Sequence, residues 1–561
     1  MIVGIDVGGT YTDGVALDHG KVVAKAKVVT KKNLPETFAE VLAKLIAQHN
    51  QPIKRVVLST TLITNLIAER KYDRAAALLL PGAGIDYEKL PFPFPVKVLS
   101  GMVDFRGRVL EELKEEEVEE ALQELTLKGY RKIALVGKFS VRNPELEMKL
   151  YHRVKKFNPE IKTALGHKTG GRLNYLRRIY SSVLYLMIQE EFTRFIEELK
   201  VIFYALKIPL NLVFIMKGDG GIVSLNEVGR YSLSTLYSGP AASSLGAYAL
   251  CNCQNIVVLD IGGTTTDIAL ILNKRPLLSH KGADIGEFLT SVPSLAVSSV
   301  PLGGDTAVVA KKGELTFTGK REGPAYCLGG PAVTVTDALR ALNLINYGDY
   351  RRALRGIAKI AGELGLSSET CAQKIIEKFS ETVAQEVKNT FRRWENEPRY
   401  RIYEILTGKK FEPELISGVG GGAYPLTLFV AKKLGLKGVI FENYEVANAL
   451  GAALARDNLA ITVYIDTEQN YVAIPEWGYK ETIPKLKNYS EEEVKEFALL
   501  VFRIGAKRMN LRYPPGSEEL IYFEQFNVVR DMVTENKIFT IEIAVPAGIL
   551  RPVEGRILYE Q

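Results

Sequence analysis

Apolar residues recur along the chain at two spacings, which predict strands and helices in alternation. Residues 1–30 carry short apolar runs separated by turn residues, a pattern that predicts strand, turn, strand, strand. Leu34–Gln48 and Glu115–Gly129 have apolar residues three and four positions apart, as on one face of a helix. Further strands are predicted at Val56–Ser59, Ala75–Leu80 and Lys132–Val136. This alternation indicates an α/β fold.

The pattern changes twice further along the chain. Tyr175–Leu206 has long helical periodicity, which predicts a spine between two halves, and a strand at Asn211–Met216 restarts the α/β alternation. After about residue 457, antiparallel strand patterns flank a helix at Ser490–Met509, whose start carries the capping pattern Ser490-Glu-Glu-Glu493. We therefore predict three domains, namely two α/β lobes at 1–200 and 201–456 and a small α+β domain at 457–561.

One short motif occurs twice. Asp6–Asp13 reads DVGGTYTD and Asp260–Asp267 reads DIGGTTTD, so six of eight residues are identical. Each copy lies between two apolar runs, the pattern of a β-hairpin with a Gly-Gly-Thr turn and an acid at each end. Glycines let the backbone approach a ligand, and successive N–H groups in such turns bind anions. The repeat predicts two related half-domains that hold a nucleotide triphosphate and a divalent metal between them.

The residue types at the turns indicate individual roles. Asp6 and Asp260 are candidate catalytic carboxylates and Mg²⁺ ligands, because Mg²⁺ takes one or two acids together with phosphate oxygens and water. A run of three glycines after a predicted strand lets a loop pack flat against a planar ring such as adenine. The predicted ATP-binding residues are Gly8, Gly9, Thr10, Thr12, Gly262, Gly263, Thr264, Thr266, Gly420, Gly421 and Gly422.

Composition excludes some classes of function. The chain has 561 residues, 47% hydrophobic and 24% charged, as in ordinary soluble proteins. Its net charge of +7 is spread thinly, without a basic block that would indicate nucleic-acid binding. Four cysteines without zinc-site spacing suit a reducing compartment. No secretory signal or membrane-spanning run is visible. We expect a cytoplasmic protein that acts on a small molecule and binds neither nucleic acid nor membrane.

The order of these motifs resembles the actin, sugar kinase and Hsp70 ATPase superfamily. The details resemble the A-type, ATP-binding subunits of the hydantoinase/oxoprolinase family. The matching segments are Gly4–Val15, Ser59–Lys71, Arg142–Pro144, Gly166–His167 with Arg178, Met216–Gly221, Ser238–Ala242, Leu259–Asp267 and Val333–Asp337. The resemblance implies two actin-like (ribonuclease H-like) lobes around a nucleotide cleft. It also implies ATP-dependent activation of a cyclic amide carbonyl for ring opening, together with a B-type partner subunit in an oligomer. On this resemblance Asp13, Asp267, Asp219 and Asp305 are candidates to position the acceptor.

The substrate stays open at this point. Relatives have an aspartate and a histidine where this chain has Ala296 and Ser298. Three other functions are compatible with the motifs: a nucleotide-binding subunit of an acetone- or acetophenone-type carboxylase, a small-molecule kinase, and a nucleotide-driven switch for a partner protein. His167 and Asp305 each have a structural and a functional interpretation.

Overall fold

The computed structural model describes residues 1–170, 173–279, 281–396, 410–483, 489–530, 533–553 and 555–561. Up to residue 224 the strands are β1 (Ile2–Val7), β2 (Tyr11–Asp18), β3 (Lys21–Val29), β4 (Arg55–Ser59), β5 (Ala76–Leu80), β6 (Val96–Val98), β7 (Met102–Val103), β8 (Val109–Glu111), β9 (Lys132–Gly137), β10 (Lys162–Leu165), β11 (Val213–Met216) and β12 (Ile222–Ser224). The helices are α1 (Leu34–Gln48), α2 (Leu62–Ala68), α3 (Glu115–Leu127), α4 (Glu145–Phe157), α5 (Gly166–Thr169) and α6 (Tyr175–Ala205).

These strands form two main sheets, in the orders β12-β11-β4-β1-β2-β3 and β10-β9-β5-β6. In the first, β1 lies between antiparallel β2 and parallel β4, so Asp6 pairs in register with Asp13 on one side and Ser59 on the other. Helix α1 begins at Asn33, whose side chain accepts the Glu36 N–H, and it buries its apolar face near the first sheet. Asp6 therefore lies on a central strand of the six-stranded sheet.

The second half of the chain repeats this arrangement. Its strands are β13 (Ile256–Ile261), β14 (Thr266–Leu272), β15 (Arg275–Pro276), β16 (Asp284–Ile285), β17 (Phe288–Leu289), β18 (Val297–Val300), β19 (Thr306–Lys311), β20 (Glu314–Arg321), β21 (Leu415–Val419) and β22 (Gly438–Phe441). Its helices are α7 (Ser238–Cys251), α8 (Val335–Ala341), α9 (Tyr350–Leu364), α10 (Ser368–Glu395), α11 (Ala423–Leu434) and α12 (Ala447–Leu454). Strand β13 lies between antiparallel β14 and parallel β21, as β1 lies between β2 and β4.

The C-terminal region forms a third layer. Its elements are β23 (Leu459–Asp466), β24 (Tyr471–Ile474), β25 (Tyr479–Thr482), α13 (Glu491–Arg508), β26 (Glu519–Arg530), β27 (Val533–Val545) and β28 (Ile557–Glu560). The sheet order β25-β24-β23-β27-β26 is antiparallel throughout. The predicted capping box is present, because Ser490 Oγ accepts the Glu493 N–H at 3.2 Å and Glu493 accepts the Ser490 N–H at 2.8 Å.

Helices α7 and α12 cross closely between the two hairpins. A Cβ atom on Gly451 would lie 1.9 Å from the Ala242 carbonyl oxygen, and one on Gly246 would lie 1.9 Å from that of Ala447. A Cβ on Gly4 of β1 would likewise lie 2.0 Å from the Ala449 carbonyl oxygen. Small residues at these positions are required for α12 to touch both β1 and α7.

Three strands lie in a different sheet from the one that the predicted domain limits imply. Strands β11 and β12 follow residue 200 but extend the first sheet through β4, and β28 follows residue 457 but pairs with β22. We therefore propose that the first lobe extends to Ser224 and that the last strand belongs to the second. Among the described helices, none is long and apolar enough to cross a bilayer.

Candidate active site

The two repeated aspartates lie side by side at the ends of β1 and β13. The Asn448 side chain, in α12, donates its Nδ2 to Asp6 Oδ2 and to Asp260 Oδ2, each at 3.3 Å. One amide therefore bridges a carboxylate from each hairpin. The structure thus brings together the two acids that the repeat predicts.

Asp6 is only 4% exposed. Loss of hydration raises the pKa of Asp6 to about 6, and hydrogen bonding from Ser59 and Asn448 partly offsets that rise. Its Oδ1 is buried and accepts no hydrogen bond from the residues that the structure describes. A buried acceptor without a donor fits a cation or a metal-bound water, which is the environment that Mg²⁺ would supply.

Asp260 accepts hydrogen bonds from the side chains of Ser243 and Asn448. Ser243 donates its hydroxyl to Asp260 Oδ2. Desolvation, followed by the charges of Asp267 and Asp6, raises the pKa of Asp260 to about 7. The charge of Asp6 is one cause of that rise, and two acids this close favour a shared divalent cation. Within the described ranges no cluster of three or more His, Cys, Asp or Glu side chains forms a metal site, and Mg²⁺ is often held by one or two acids together with phosphate oxygens and water.

The two Gly-Gly-Thr turns close in the same way. The Gly8 N–H donates to the Tyr11 carbonyl and the Gly262 N–H to the Thr265 carbonyl, each at 3.0 Å. Gly9, Gly263 and Thr264 are exposed at the tips. Both turns therefore present backbone to the cleft, as anion-binding turns do.

Two predicted phosphate-binding hydroxyls point elsewhere. Thr12 is fully buried with its Oγ1 3.0 Å from Thr30 Oγ1, and Thr266, also buried, donates to the Leu302 carbonyl at 2.7 Å. The prediction that Thr12 and Thr266 offer their hydroxyls to phosphate is corrected accordingly. Side chains along a strand alternate between faces, and these two fall on the inner face.

The glycine loop lies against the second turn. The Gly422 N–H donates to the Ile261 carbonyl at 2.8 Å, and a Cβ on Gly420 would lie 2.4 Å from Asp260 Oδ1. Gly420 has φ of +88°, so both backbone conformation and space require glycine there. Gly421 is exposed and faces open space.

The remaining predicted acids have local partners. Asp13 pairs with Lys27 at 2.7 Å, and Asp267 lies opposite Asp260 in the hairpin. Burial raises the pKa of both Asp13 and Asp267. Asp219 accepts the Gly221 N–H at 2.9 Å and lies 3.4 Å from Lys217 Nζ, which are the contacts of a tight turn.

Sequence reasoning missed Asn448, Ser243 and Arg321. Arg321, at the end of β20, donates its Nη1 to Thr10 Oγ1 at 2.8 Å and pairs with Asp305 at 3.0 Å. Asn448 had a local signal, since it is the one polar side chain in the small-residue run Val446–Ala453. Arg321 had none.

His167 has a structural environment. It is 3% exposed, and its Nδ1 pairs with the buried Glu147, which also accepts the Gly137 N–H at 2.7 Å. These contacts join α5 to the end of β9. They support the structural interpretation of His167.

The sequence profile of the hydantoinase/oxoprolinase family matches residues 178–459, and the profile of that family's N-terminal region matches residues 2–157. The chain belongs to the hydantoinase/oxoprolinase family. The caprolactamase subunit alpha of Pseudomonas jessenii is 23% identical over 501 residues, which cover 80% of this chain and 69% of that protein. The family prediction is thus confirmed.

Two solved structures share the fold. The ATP-dependent caprolactamase from Pseudomonas jessenii matches with a TM-score of 0.71 at 19% identity, over 98% of this chain and 88% of that one. Nucleotide-free acetone carboxylase matches with a TM-score of 0.70 at 18% identity, with the same coverage. The predicted actin-like α/β fold of two lobes is confirmed.

Proposed function

We propose that this chain is the ATP-dependent subunit of an enzyme that phosphorylates the carbonyl oxygen of a cyclic amide, such as a hydantoin or 5-oxoproline, for ring opening. The observation that carries the proposal is the Asn448 bridge between Asp6 and Asp260, one acid from each repeated turn. The family membership and the name of the caprolactamase relative support an amide substrate. Because that relative is an alpha subunit, we also propose a B-type partner and an oligomeric assembly.

The cleft residues would divide the work as follows. The backbone N–H groups of Gly9, Thr10, Gly263 and Thr264 would bind phosphate oxygens, and the loop Gly420–Gly422 would pack on the base. Asp6 and Asp260 would hold Mg²⁺. Bound Mg²⁺ supplies neutralisation of charge on the transferring phosphoryl group. The amide oxygen takes the γ-phosphoryl group as ADP leaves, which opens the carbonyl carbon to attack by water. The C–N bond of the ring then breaks as the nitrogen takes a proton, and a second water hydrolyses the acyl phosphate and releases phosphate.

Substitution of the two bridged acids tests this proposal. Asp6→Asn and Asp260→Asn should each lower Mg²⁺-dependent ATP turnover at least about 100-fold, because charge stabilisation at the phosphates is lost. Turnover is measured as ADP release with lactams and hydantoins as substrates, and circular dichroism checks the fold. Asp86→Asn is a matched control, because Asp86 is exposed and pairs with Lys89 and with its own turn. Wild-type turnover in both cleft variants would refute the proposed site.

A carboxylase function is the second candidate, because acetone carboxylase matches the fold as well as caprolactamase does. Both reactions start by activating a carbonyl-derived oxygen with ATP. The same assay separates them when ketones and bicarbonate are added. Turnover that requires bicarbonate would favour the carboxylase, whereas release of a ring-opened product without bicarbonate would favour the cyclic amidase.

A further inference from the structure

Arg321 spans the tips of the two phosphate turns. Its Nη1 donates to Thr10 Oγ1 in the first turn at 2.8 Å, and its Nε and Nη2 lie 3.1 and 3.0 Å from Asp305 Oδ2. The side chain is 23% exposed, so one edge of the guanidinium still faces solvent. A single arginine therefore contacts the first turn directly and the second turn through Asp305.

Asp305 lies directly on the second turn. Its N–H donates to the Gly263 carbonyl at 2.7 Å, and its Oδ2 would lie 2.7 Å from a Cβ built on Gly263. A carboxylate oxygen thus covers the turn whose backbone is built to approach an anion. The same oxygen accepts the Nε–H of Arg321 at 3.1 Å and lies 3.0 Å from its Nη2, and a guanidinium binds carboxylates and phosphates alike.

The negative charge of the acids around the two turns favours a nearby cation such as Arg321. Asp6, Asp13, Asp260, Asp267 and Asp305 all lie at or beside the two turns. The side-chain cations that contact these acids in the described part of the chain are Lys27, which is paired with Asp13, and Arg321. Lys27 contacts the first hairpin. Arg321 contacts the first turn directly and the second through Asp305, so it is the cation placed to meet a phosphate held between both turns.

We propose that Arg321 binds the terminal phosphate of the nucleotide, and that this phosphate replaces the Asp305 carboxylate as the partner of the guanidinium. The inference rests on the proposed function and adds a residue to it. In the absence of nucleotide the Arg321–Asp305 pair holds the two turns together. When a triphosphate enters, the γ-phosphate oxygens take the place of Asp305 Oδ2 over Gly263. A diphosphate lacks the group that reaches Arg321.

Nucleotide titration of three variants tests this exchange. Calorimetry with Mg²⁺ measures the Kd of a non-hydrolysable ATP analogue and of ADP. Arg321→Gln should raise the Kd of the analogue at least about tenfold and change the Kd of ADP by less than about twofold. Only the contact with the γ-phosphate is lost. Asp305→Asn should lower the Kd of the analogue, because the carboxylate that competes for Arg321 is removed. Arg275→Gln, which removes an arginine paired with Glu519 on the surface, should change neither Kd.

Several outcomes would overturn the proposal. If Arg321→Gln weakens the binding of both nucleotides equally, or of neither, Arg321 does not bind the terminal phosphate. If Asp305→Asn weakens the analogue as Arg321→Gln does, the carboxylate binds the nucleotide complex rather than competing with it. A wild-type protein that binds neither nucleotide would refute the proposed function itself, whereas normal binding in Arg321→Gln would refute this inference alone.

Discussion

At the scale of single residues, the raised pKa values of the bridged acids make stability depend on pH. Unfolding returns Asp6 to an ordinary pKa near 3.8, well below its value of about 6 in the folded protein. Between these values the folded state binds the extra proton, so the free energy of unfolding falls as pH rises from about 4 to about 7. The shift at Asp6 alone corresponds to about 3 kcal/mol. Asp260 acts in the same direction, with its folded pKa at about 7.

Asp6→Asn and Asp260→Asn should therefore be more stable than the wild type at pH 8 without metal, and their melting temperatures should fall less between pH 5 and pH 8. Differential scanning calorimetry over that range, with chelator present, measures the effect. Asp86→Asn should keep the wild-type slope, because Asp86 is exposed and its pKa is lowered by Lys89. Parallel slopes in all four proteins would show that the bridged acids are not the cause.

The same scale shows what local sequence can and cannot reveal. The repeated motif located Asp6 and Asp260, because identical turns need identical residues. It misplaced Thr12 and Thr266, whose side chains fall on the inner face of their strands. Arg321 was out of reach of this reasoning, because it comes from a separate hairpin that only the tertiary fold brings to Thr10.

At the scale of elements, the crossing of α7 and α12 depends on glycine. Gly451→Ala should lower the free energy of unfolding by about 2–4 kcal/mol, because its Cβ would lie 1.9 Å from a backbone oxygen that cannot rotate away. Gly362→Ala is the matched control, since Gly362 lies in α9 with nothing within 4 Å. It should raise stability by up to about 1 kcal/mol. Urea unfolding measures both, and equal effects would contradict the close crossing.

The helices and strands were largely predictable from the sequence, but the pairing of the strands was not. The predicted helix Leu34–Gln48 has those limits in the structure, because its apolar spacing and its Asn33 cap act locally. The strand predicted at Asn211–Met216 starts at Val213, after a 3₁₀ turn at Leu210–Leu212. Its pairing with β4 is set by residues far away in sequence, so the periodicity that predicted a strand gave no information about its sheet.

At the scale of the whole molecule, the C-terminal region contacts both lobes. The Leu550 N–H of the C-terminal region donates to the Leu454 carbonyl of α12 at 2.8 Å, and the last strand, β28, completes the second sheet beside β22. On the other side, Tyr471 donates its hydroxyl to the Arg106 carbonyl of the first lobe at 2.8 Å. Closure of the proposed cleft therefore has to move, or flex around, a region anchored at both ends.

The Arg106–Asp466 pair is the firmest of these anchors. Asp466 is fully buried and both its oxygens accept from Arg106, at 2.9 to 3.1 Å. Asp466→Asn should lower the free energy of unfolding by about 1–3 kcal/mol, because it leaves a largely buried guanidinium with Glu468 as its remaining counter-charge. It should also speed proteolytic release of residues after 457, measured by mass spectrometry. Glu519→Gln, which breaks the exposed pair with Arg275, should change neither quantity, and equal effects of the two substitutions would show that the buried pair does not anchor the C-terminal region.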